Sequence, residues 1–183
     1  MLKVLAASLL ALALVTTTLP APVARAASAV DIDRDVDAAL TKLYADVPRA
    51  RELGARAKAV LVFPTILKAG FLFGGQYGEG ALRQQGKTVG YYNSLAASYG
   101  LQAGVQAFGY ALFFMSDSAL RYLDNTGGFE LGTGPSLVVL DKGMAAALTT
   151  TTIQNDMYAV FFDQAGLMAG LGLQGSKISR VER

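Results

Sequence analysis

The sequence predicts an α+β domain in which N-terminal helices pack on a strongly bent, Gly-rich antiparallel β-sheet or a partly closed barrel. Two observations predict this fold. Apolar residues recur at helical spacing over residues 28–47, and three later segments alternate between apolar residues and glycine or glutamine. Because the helical pattern precedes the strand patterns instead of alternating with them, the order is typical of the α+β class.

The first 26 residues have the features of a secretory signal peptide. A lysine near the start precedes an apolar stretch at residues 4–15 that is short for a membrane span. The small residues Ala24 and Ala26 fit the cleavage rule. We therefore expect a signal peptide over residues 1–26 and a mature chain that begins at Ala27, with a retained N-terminal anchor as the alternative.

The expected mature chain, residues 27–183, is long enough for one domain with its own core. It contains no cysteine, so neither a disulfide nor a lipid-modified cysteine is available. No apolar run after residue 26 reaches the length of a transmembrane helix. We expect an exported protein of the periplasm or cell envelope.

The helices are predicted at residues 28–47 and from Pro48 onward. Ser28 or Asp31 is a suitable N-terminal cap for the first helix. Proline is favoured in the first turn of a helix, and Gly54 is expected to end or interrupt the second helix. A third, short helix is predicted over residues 116–125. The apolar stripe of the first helix consists of Ile32, Val36, Leu40, Leu43 and Val47.

The strands are predicted from period-two alternation. The central segment, residues 59–83, begins with an apolar run stopped by Pro64 and continues with aromatics on one face and glycines on the other. The same design recurs at residues 98–114 and 166–180, with bulges expected near Phe108 and Gly175. A turn at residues 84–87 leads into a strand at 88–95, and further extended segments are expected at 129–140 and 156–163.

So many glycines on one strand face indicate either a sharp bend of the sheet or a close approach of another element or ligand. We favour twist and coiling of the sheet over a dedicated ligand surface.

Familiar catalytic and metal sites are largely excluded. The chain has no histidine and no cysteine, which excludes the common zinc sites, serine–histidine triads and thiol nucleophiles. Residues 170–175 match G-x-G-x-x-G, but only eight residues follow, too few for a dinucleotide-binding unit. Asp31, Asp33 and Asp35 mimic the start of a calcium loop that then lacks its glycine and its glutamate. We expect no enzyme, no metal and no cofactor, and interpret Asp163 as a cap at a strand end.

Charge is unevenly distributed along the chain. The sequence has 16 basic and 14 acidic residues, and two of the basic ones lie in the signal, so the mature chain is nearly neutral. This balance argues against nucleic acid as a partner. A local basic excess favours contact with an anionic phospholipid or a membrane surface. The candidate lipid-binding residues are Arg49, Arg51, Arg56, Lys58 and Lys68.

Several blocks of sequence also resemble a known family. In chain order they read AKAVLVFP, KAGFLFGGQYGEGAL, GYYNSLAASYGLQAGVQAFGYALFFM, GFELGTGPS and GLMAGLGLQGSKISR. This series is similar to the SYLF domain over roughly residues 40–181. The motif glycines carried over by the resemblance are expected to be structural. They are Gly70, Gly74, Gly75, Gly78, Gly100, Gly104, Gly170 and Gly175.

The resemblance implies a non-enzymatic domain that binds anionic lipids, notably phosphoinositides, through basic residues and an amphipathic N-terminal helix. Eukaryotic members are also described as actin-binding, a partner that does not suit an exported bacterial-type chain. Bacterial members are typically exported and often anchored by a lipid, for which this chain lacks the cysteine.

Three function classes remain at this point. The first is an exported domain that binds lipid, through the headgroup of an anionic phospholipid or through its acyl chain. The second is a small outer-membrane β-barrel or a structural protein of the envelope, against which the core-like first helix and the charged C-terminal strand argue. The third is an enzyme that relies on carboxylates alone.

Overall fold

The computed structural model describes residues 27–125, 129–131, 134–140, 145, 153–166 and 175–183. It confirms the α+β class, with two N-terminal helices before the first strand. The predicted signal peptide and most of the G-x-G-x-x-G stretch lie outside the described residues. Within the described residues there are three helices and six strands. They are α1 (Ala29–Asp46), α2 (Pro48–Arg56), β1 (Ala59–Gln84), β2 (Lys87–Phe114), α3 (Asp117–Asn125), β3 (Phe129–Glu130), β4 (Leu137–Leu140), β5 (Met157–Gly166) and β6 (Lys177–Val181).

Helix α1 begins where the sequence predicts it. The Ser28 side chain accepts a hydrogen bond from the Asp31 backbone N–H at 3.2 Å, which satisfies a backbone donor that the first turn leaves open. The apolar stripe faces the sheet, and Ile32, Val36 and Leu43 are fully or almost fully buried. The helix is therefore held by its packed face more than by intrinsic helix propensity.

Helix α2 continues through Gly54 to Arg56, so the expectation that this glycine ends or interrupts the helix is wrong. A side chain at position 54 would collide with the ring of Tyr44 on α1. The glycine therefore permits α1 and α2 to approach closely. The close packing of the two helices offsets the low helix propensity of glycine.

Strands β1 and β2 form one long antiparallel hairpin whose register runs from the Ala59–Phe114 pair to the Gln84–Lys87 pair. The turn at its end is confirmed, with Gln85 and Gly86 both at positive φ, 50° and 77°. Two predicted interruptions are absent, because β1 passes Pro64 without ending and the segments at 88–95 and 98–114 are a single strand. Pro64 lies at a register shift between Phe63 and Ile66, a place where a missing N–H is tolerated.

Strand β2 is the centre of the sheet. Its second half pairs with β5 and its first half with β6, while β1 borders its other edge throughout. Strand β3 extends the sheet beyond β6, and β4 extends it beyond β5. The β4–β5 pair is parallel, so the predicted antiparallel sheet is mixed at this edge. Among the described strands the sheet is not closed.

Two apolar clusters cover the two faces of the sheet. The inner cluster includes Leu61, Tyr110 and Phe161, with α3 packed at its end, and the outer cluster lies under α1 and α2 and includes Val62 and Phe113. The extra residue near Pro64 reverses which parity of β1 faces inward. As a result Gln76 and the later glycines of β1 face the interior.

Candidate functional site

A groove of about 750 Å³ lies between α1, α2 and the two ends of β1. The bend of β1 brings its first residues and its last residues to the same place, so both contribute to the wall. This volume is within the range of small-molecule sites in proteins. The charged and aromatic residues that line it are Asp37, Tyr44, Arg51, Lys58, Arg83 and Asp117.

Arg83 forms the most buried charged part of this wall, with a side chain that is only 12% exposed. One of its terminal nitrogens donates to the Asp37 carboxylate at 2.6 Å and to the Asp33 carbonyl oxygen at 3.0 Å. Its Nε is buried and makes no hydrogen bond within the described part of the chain. Arg83 therefore joins β1 to α1, and its charge is largely neutralised by the aspartates of the helix.

The basic residues predicted on α2 divide between two sides of the helix. Arg49, Glu52 and Arg56 follow one another at spacings of three and four, which places them on one side, and Arg49 forms an ion pair with Glu52. Arg51 is on the groove side. Neither Arg51 nor Arg56 makes an ion pair with a carboxylate of the described residues, so these two exposed cations carry the uncompensated charge of α2.

Lys58 and Lys68 are placed differently. Lys58 lines the groove, half-exposed, with its ammonium 3.9 Å from the Asp117 carboxylate, a distance at which attraction is weak in water. Lys68 is on β1, half-buried, opposite Gln106 of β2. The structure therefore brings Arg51 and Lys58 together at the groove, while Lys68 belongs to the sheet.

Tyr44 is the titratable group of the groove whose environment alters its acidity. Burial raises the pKa of the Tyr44 hydroxyl, and the nearby positive charge of Arg51 opposes this rise. The phenol stays neutral at physiological pH. The groove therefore offers a hydrogen-bonding hydroxyl beside a cation, a combination suited to a phosphate or carboxylate group.

An exposed apolar stripe is the surface feature that sequence reasoning missed. Leu67, Val105, Leu95 and Phe73 are between 56% and 74% exposed, and Tyr77 is 47% exposed. They lie on neighbouring strands of the β1–β2 hairpin, where Leu95 pairs directly with Tyr77. The alternation that predicted an apolar face was visible in the sequence, but nothing in it told which face is the outer one.

The glycine-rich face is the inner one. A side chain on Gly78 would meet the Thr65 carbonyl oxygen, and one on Gly70 would come within 2.5 Å of the Gly74 Cα atom. Gly75 has more room, since its nearest such neighbour is the Ala96 carbonyl oxygen at 3.7 Å. Gly175 adopts a φ of 76° in a turn that leads into β6. Of the other motif glycines, Gly100 and Gly104 lie on β2 and Gly170 is outside the described residues.

Two buried hydrogen bonds occupy the interior beside these glycines. The Gln76 amide donates to the Ser176 hydroxyl at 2.8 Å, and the Tyr110 hydroxyl donates to the Ser94 hydroxyl at 2.9 Å. Protein backbone and side chains therefore fill the space near Gly78, which leaves no room there for an acyl chain.

Asp163 is not a strand-end cap, as the sequence suggested, but lies within β5 at a register shift against β2. Its φ is 52°, a conformation that aspartate tolerates better than most residues. Its carboxylate is 2.5 Å from the Lys42 ammonium. The ion pair connects α1 to β5 at the residue where the register shifts.

In the parts of the chain that the structure describes, no three acidic side chains are grouped so as to hold a metal ion. None of the described helices is both long and apolar enough to cross a membrane. The described site is therefore a charged groove on a bent sheet.

Comparison with known proteins identifies the family of this domain. Residues 95–183 match the Ysc84 family model, described as Las17-binding protein actin regulator. The chain is 31% identical over 130 residues to Protein YSC84 of Saccharomyces cerevisiae strain ATCC 204508 / S288c. The aligned region covers 67% of this chain and 28% of the relative. It is 30% identical over 135 residues to LAS seventeen-binding protein 3 of strain YJM789, covering 70% of this chain and 29% of the relative.

This chain belongs to the SYLF (Ysc84) domain family, a family of binding domains. It spans under a third of the length of these yeast relatives.

Proposed function

We propose that this chain is an exported domain that binds an anionic lipid surface, with the groove beside α2 as the place where a headgroup is held. The observation that carries the proposal is the pair of uncompensated cations on α2. Arg51 and Arg56 are exposed and make no ion pair with a described carboxylate, whereas Arg34, Arg49 and Arg83 all do.

The groove supports the same function. Arg51 and Lys58 lie at its wall with the neutral hydroxyl of Tyr44 between the helices. Each basic residue near an anionic membrane is worth about 1 kcal/mol, so a small set of cations supports reversible attachment. Of the predicted cations, Arg51 and Lys58 line the groove, whereas Arg56 is exposed on the other side of α2 and Arg49 is paired with Glu52. Lys68 contributes only if the sheet edge also approaches the surface.

The proposed mature unit is residues 27–183, released by removal of residues 1–26. Export supplies the setting, because an exported chain meets the phospholipid surfaces of the envelope. The family relationship supports binding in place of catalysis.

Liposome sedimentation tests the proposal with wild type and an Arg51→Glu/Arg56→Glu variant. We expect wild type to prefer vesicles with anionic phospholipid over neutral phosphatidylcholine vesicles, and binding to weaken as salt rises. The double reversal should weaken binding by at least about tenfold, since two attractive charges of about 1 kcal/mol each become repulsive.

The matched control is Arg121→Glu/Lys177→Glu, which makes the same change of net charge at two exposed residues of α3 and β6. This variant should keep most of the binding. Equal binding to neutral and anionic vesicles, or equal loss in both variants, would contradict a headgroup site on α2.

A second candidate function is docking of a protein partner on the apolar stripe. The specific observation is the exposure of Leu67, Leu95 and Val105 on one face of the hairpin. The matched family is described as Las17-binding, and one relative is named for binding LAS seventeen. If Leu95→Ser/Val105→Ser leaves vesicle binding unchanged while Arg51→Glu/Arg56→Glu removes it, the stripe is free for such a role.

A further inference from the structure

The expected first residue of the mature chain contacts a mostly buried carboxylate. The backbone nitrogen of Ala27 donates to Glu79 Oε2 at 3.1 Å, two residues before α1 begins. Glu79 is in the second half of β1, and its side chain is only 10% exposed. The sequence motif that predicts cleavage and the contact in the folded chain thus meet at the same residue, although they are independent observations.

Glu79 is the centre of a small polar cluster. Its other oxygen, Oε1, accepts a hydrogen bond from the Tyr77 hydroxyl at 2.8 Å and forms an ion pair with the Arg183 side chain. Hydrogen-bond donors of this kind offset the loss of water around a mostly buried carboxylate. Two of them are side chains, and the third is the chain end that cleavage would create.

We propose that Glu79 is the binding site for the α-ammonium group formed when the chain is cut before Ala27. Hydrolysis adds water across the Ala26–Ala27 amide bond, leaving a carboxylate on Ala26 and an amine on Ala27 that takes up a proton. The neutral amide donor on Glu79 Oε2 becomes a positive donor at the same place. Charge-assisted hydrogen bonds of this kind are roughly twice as strong as neutral ones.

As a consequence, removal of the signal peptide should stabilise the fold. Once formed, the ammonium group holds the N-terminal end of α1 against β1. Toward the C-terminal end of α1, Lys42 forms an ion pair with Asp163 of β5. Glu79 accepts from the new terminus and pairs with Arg183, and the first turns of α1 carry Asp31 and Arg34. The last two pair with each other at 2.9 Å, so Glu79 is the acid left for the terminus.

The experiment uses the full-length coding sequence expressed in a bacterial host, with the protein recovered from the periplasmic fraction. Intact mass and N-terminal sequencing first identify the terminal residue, which we expect to be Ala27. The pH dependence of α-amine acetylation by acetic anhydride then gives the pKa of the terminus. We expect it to lie about one unit above the usual value of about 8, which slows acetylation near neutral pH about tenfold relative to the urea-unfolded chain.

Glu79→Gln should return acetylation of the terminus to the unfolded rate, while Glu182→Gln, an exposed acid beside Arg183, should not. If Glu79→Gln does not fold, wild type alone decides, because acetylating its terminus should lower its melting temperature. A terminus other than Ala27, or native and unfolded rates that agree, overturns the proposal. Neither result bears on vesicle binding, which is measured separately.

Discussion

Gly80 lies against the backbone carbonyl of Val62, eighteen positions earlier in the same strand, so closely that a Cβ atom at position 80 would overlap it. The ring of Phe63 is 2.9 Å from the same point. Strand β1 therefore folds back on itself, and the backbones of its two halves touch. Gly78 and Gly80 occupy alternate positions of this half of β1, where a side chain would prevent the contact.

Replacing Gly80 by alanine should destabilise the protein despite the better strand propensity of alanine. The added methyl group meets backbone, which cannot rotate away as a side chain can. Overpacking of this kind costs about 1–3 kcal/mol. Urea denaturation of wild type and Gly80→Ala measures the difference.

The control for this prediction is Gly75→Ala, at a glycine of the same strand with 3.7 Å of clearance. We expect its stability to be unchanged or slightly increased, since alanine restricts the unfolded chain. A Gly80→Ala variant as stable as Gly75→Ala would show that the two halves of β1 are farther apart than the structure indicates.

This contact shows what the sequence could and could not predict about the fold. The period-two alternation was enough to predict long, bent strands, and it left a close approach to the glycines as one of two explanations. It could not predict which element approaches, because the Val62–Gly80 contact depends on where β1 bends. The register shift at Pro64 also reverses the inner and outer faces, and single-residue shifts leave little trace in a pattern.

The candidate site could also be predicted only in part, because its contacts depend on the three-dimensional path of β1. The run of basic residues around α2 was evident from residue types alone. Arg49 and Arg51 looked equivalent in the sequence, but the first is paired with Glu52 and the second faces the groove. The groove itself depends on the bend of β1, which places Arg83 and Lys58 on the same wall and which no local sequence pattern contains.

Asp163 should tolerate glycine but not a β-branched residue. At a φ of 52° a valine side chain clashes with its own backbone, so Asp163→Val should cost about 1–2 kcal/mol relative to Asp163→Gly. The ion pair with Lys42 is solvent-exposed, so Asp163→Asn should change stability by less than about 0.5 kcal/mol. Chemical denaturation of the three variants tests this, and equal stability of the valine and glycine variants would refute the bulge geometry.

Asp156 should make stability sensitive to acid. Hydrogen bonds from Ser116 and Ser136 hold the pKa of its carboxyl below the ordinary value, although partial burial opposes them. Because the folded pKa is lowered, this contribution is present above the unfolded pKa of about 3.9 and disappears as pH falls through the folded pKa. The stability difference between wild type and Asp156→Asn should therefore be larger at pH 7 than at pH 3.

Ser136→Ala offers a graded control for Asp156, since it removes the 3.1 Å hydrogen bond from the serine hydroxyl and leaves the 2.8 Å bond from Ser116. Its acid sensitivity should fall between those of wild type and Asp156→Asn. A difference between wild type and Asp156→Asn that does not change with pH would mean that the carboxylate is not preferentially bound in the folded state.

Tyr110 and Ser94 should behave as a coupled pair in the core. Both are fully buried, and their 2.9 Å hydrogen bond lies among the rings of Phe63 and Phe161. Ser94→Ala leaves the phenol hydroxyl without its partner and should cost about 1–3 kcal/mol. Tyr110→Phe removes the hydroxyl itself, and the double variant should cost less than the sum of the two, as thermal or urea unfolding of all four proteins would show.

Alkaline pH gives an independent test of Tyr110, because burial raises its pKa well above the ordinary value and the bond with Ser94 only partly opposes this. The folded phenol stays protonated while the unfolded one ionises near pH 10, so this stability is complete below about pH 10 and is lost progressively above it. Tyr110→Phe should therefore lose stability less steeply than wild type between pH 10 and 11. Parallel curves for the two proteins would show that the hydroxyl reaches solvent, and the inner cluster would then have to be open beside Tyr110.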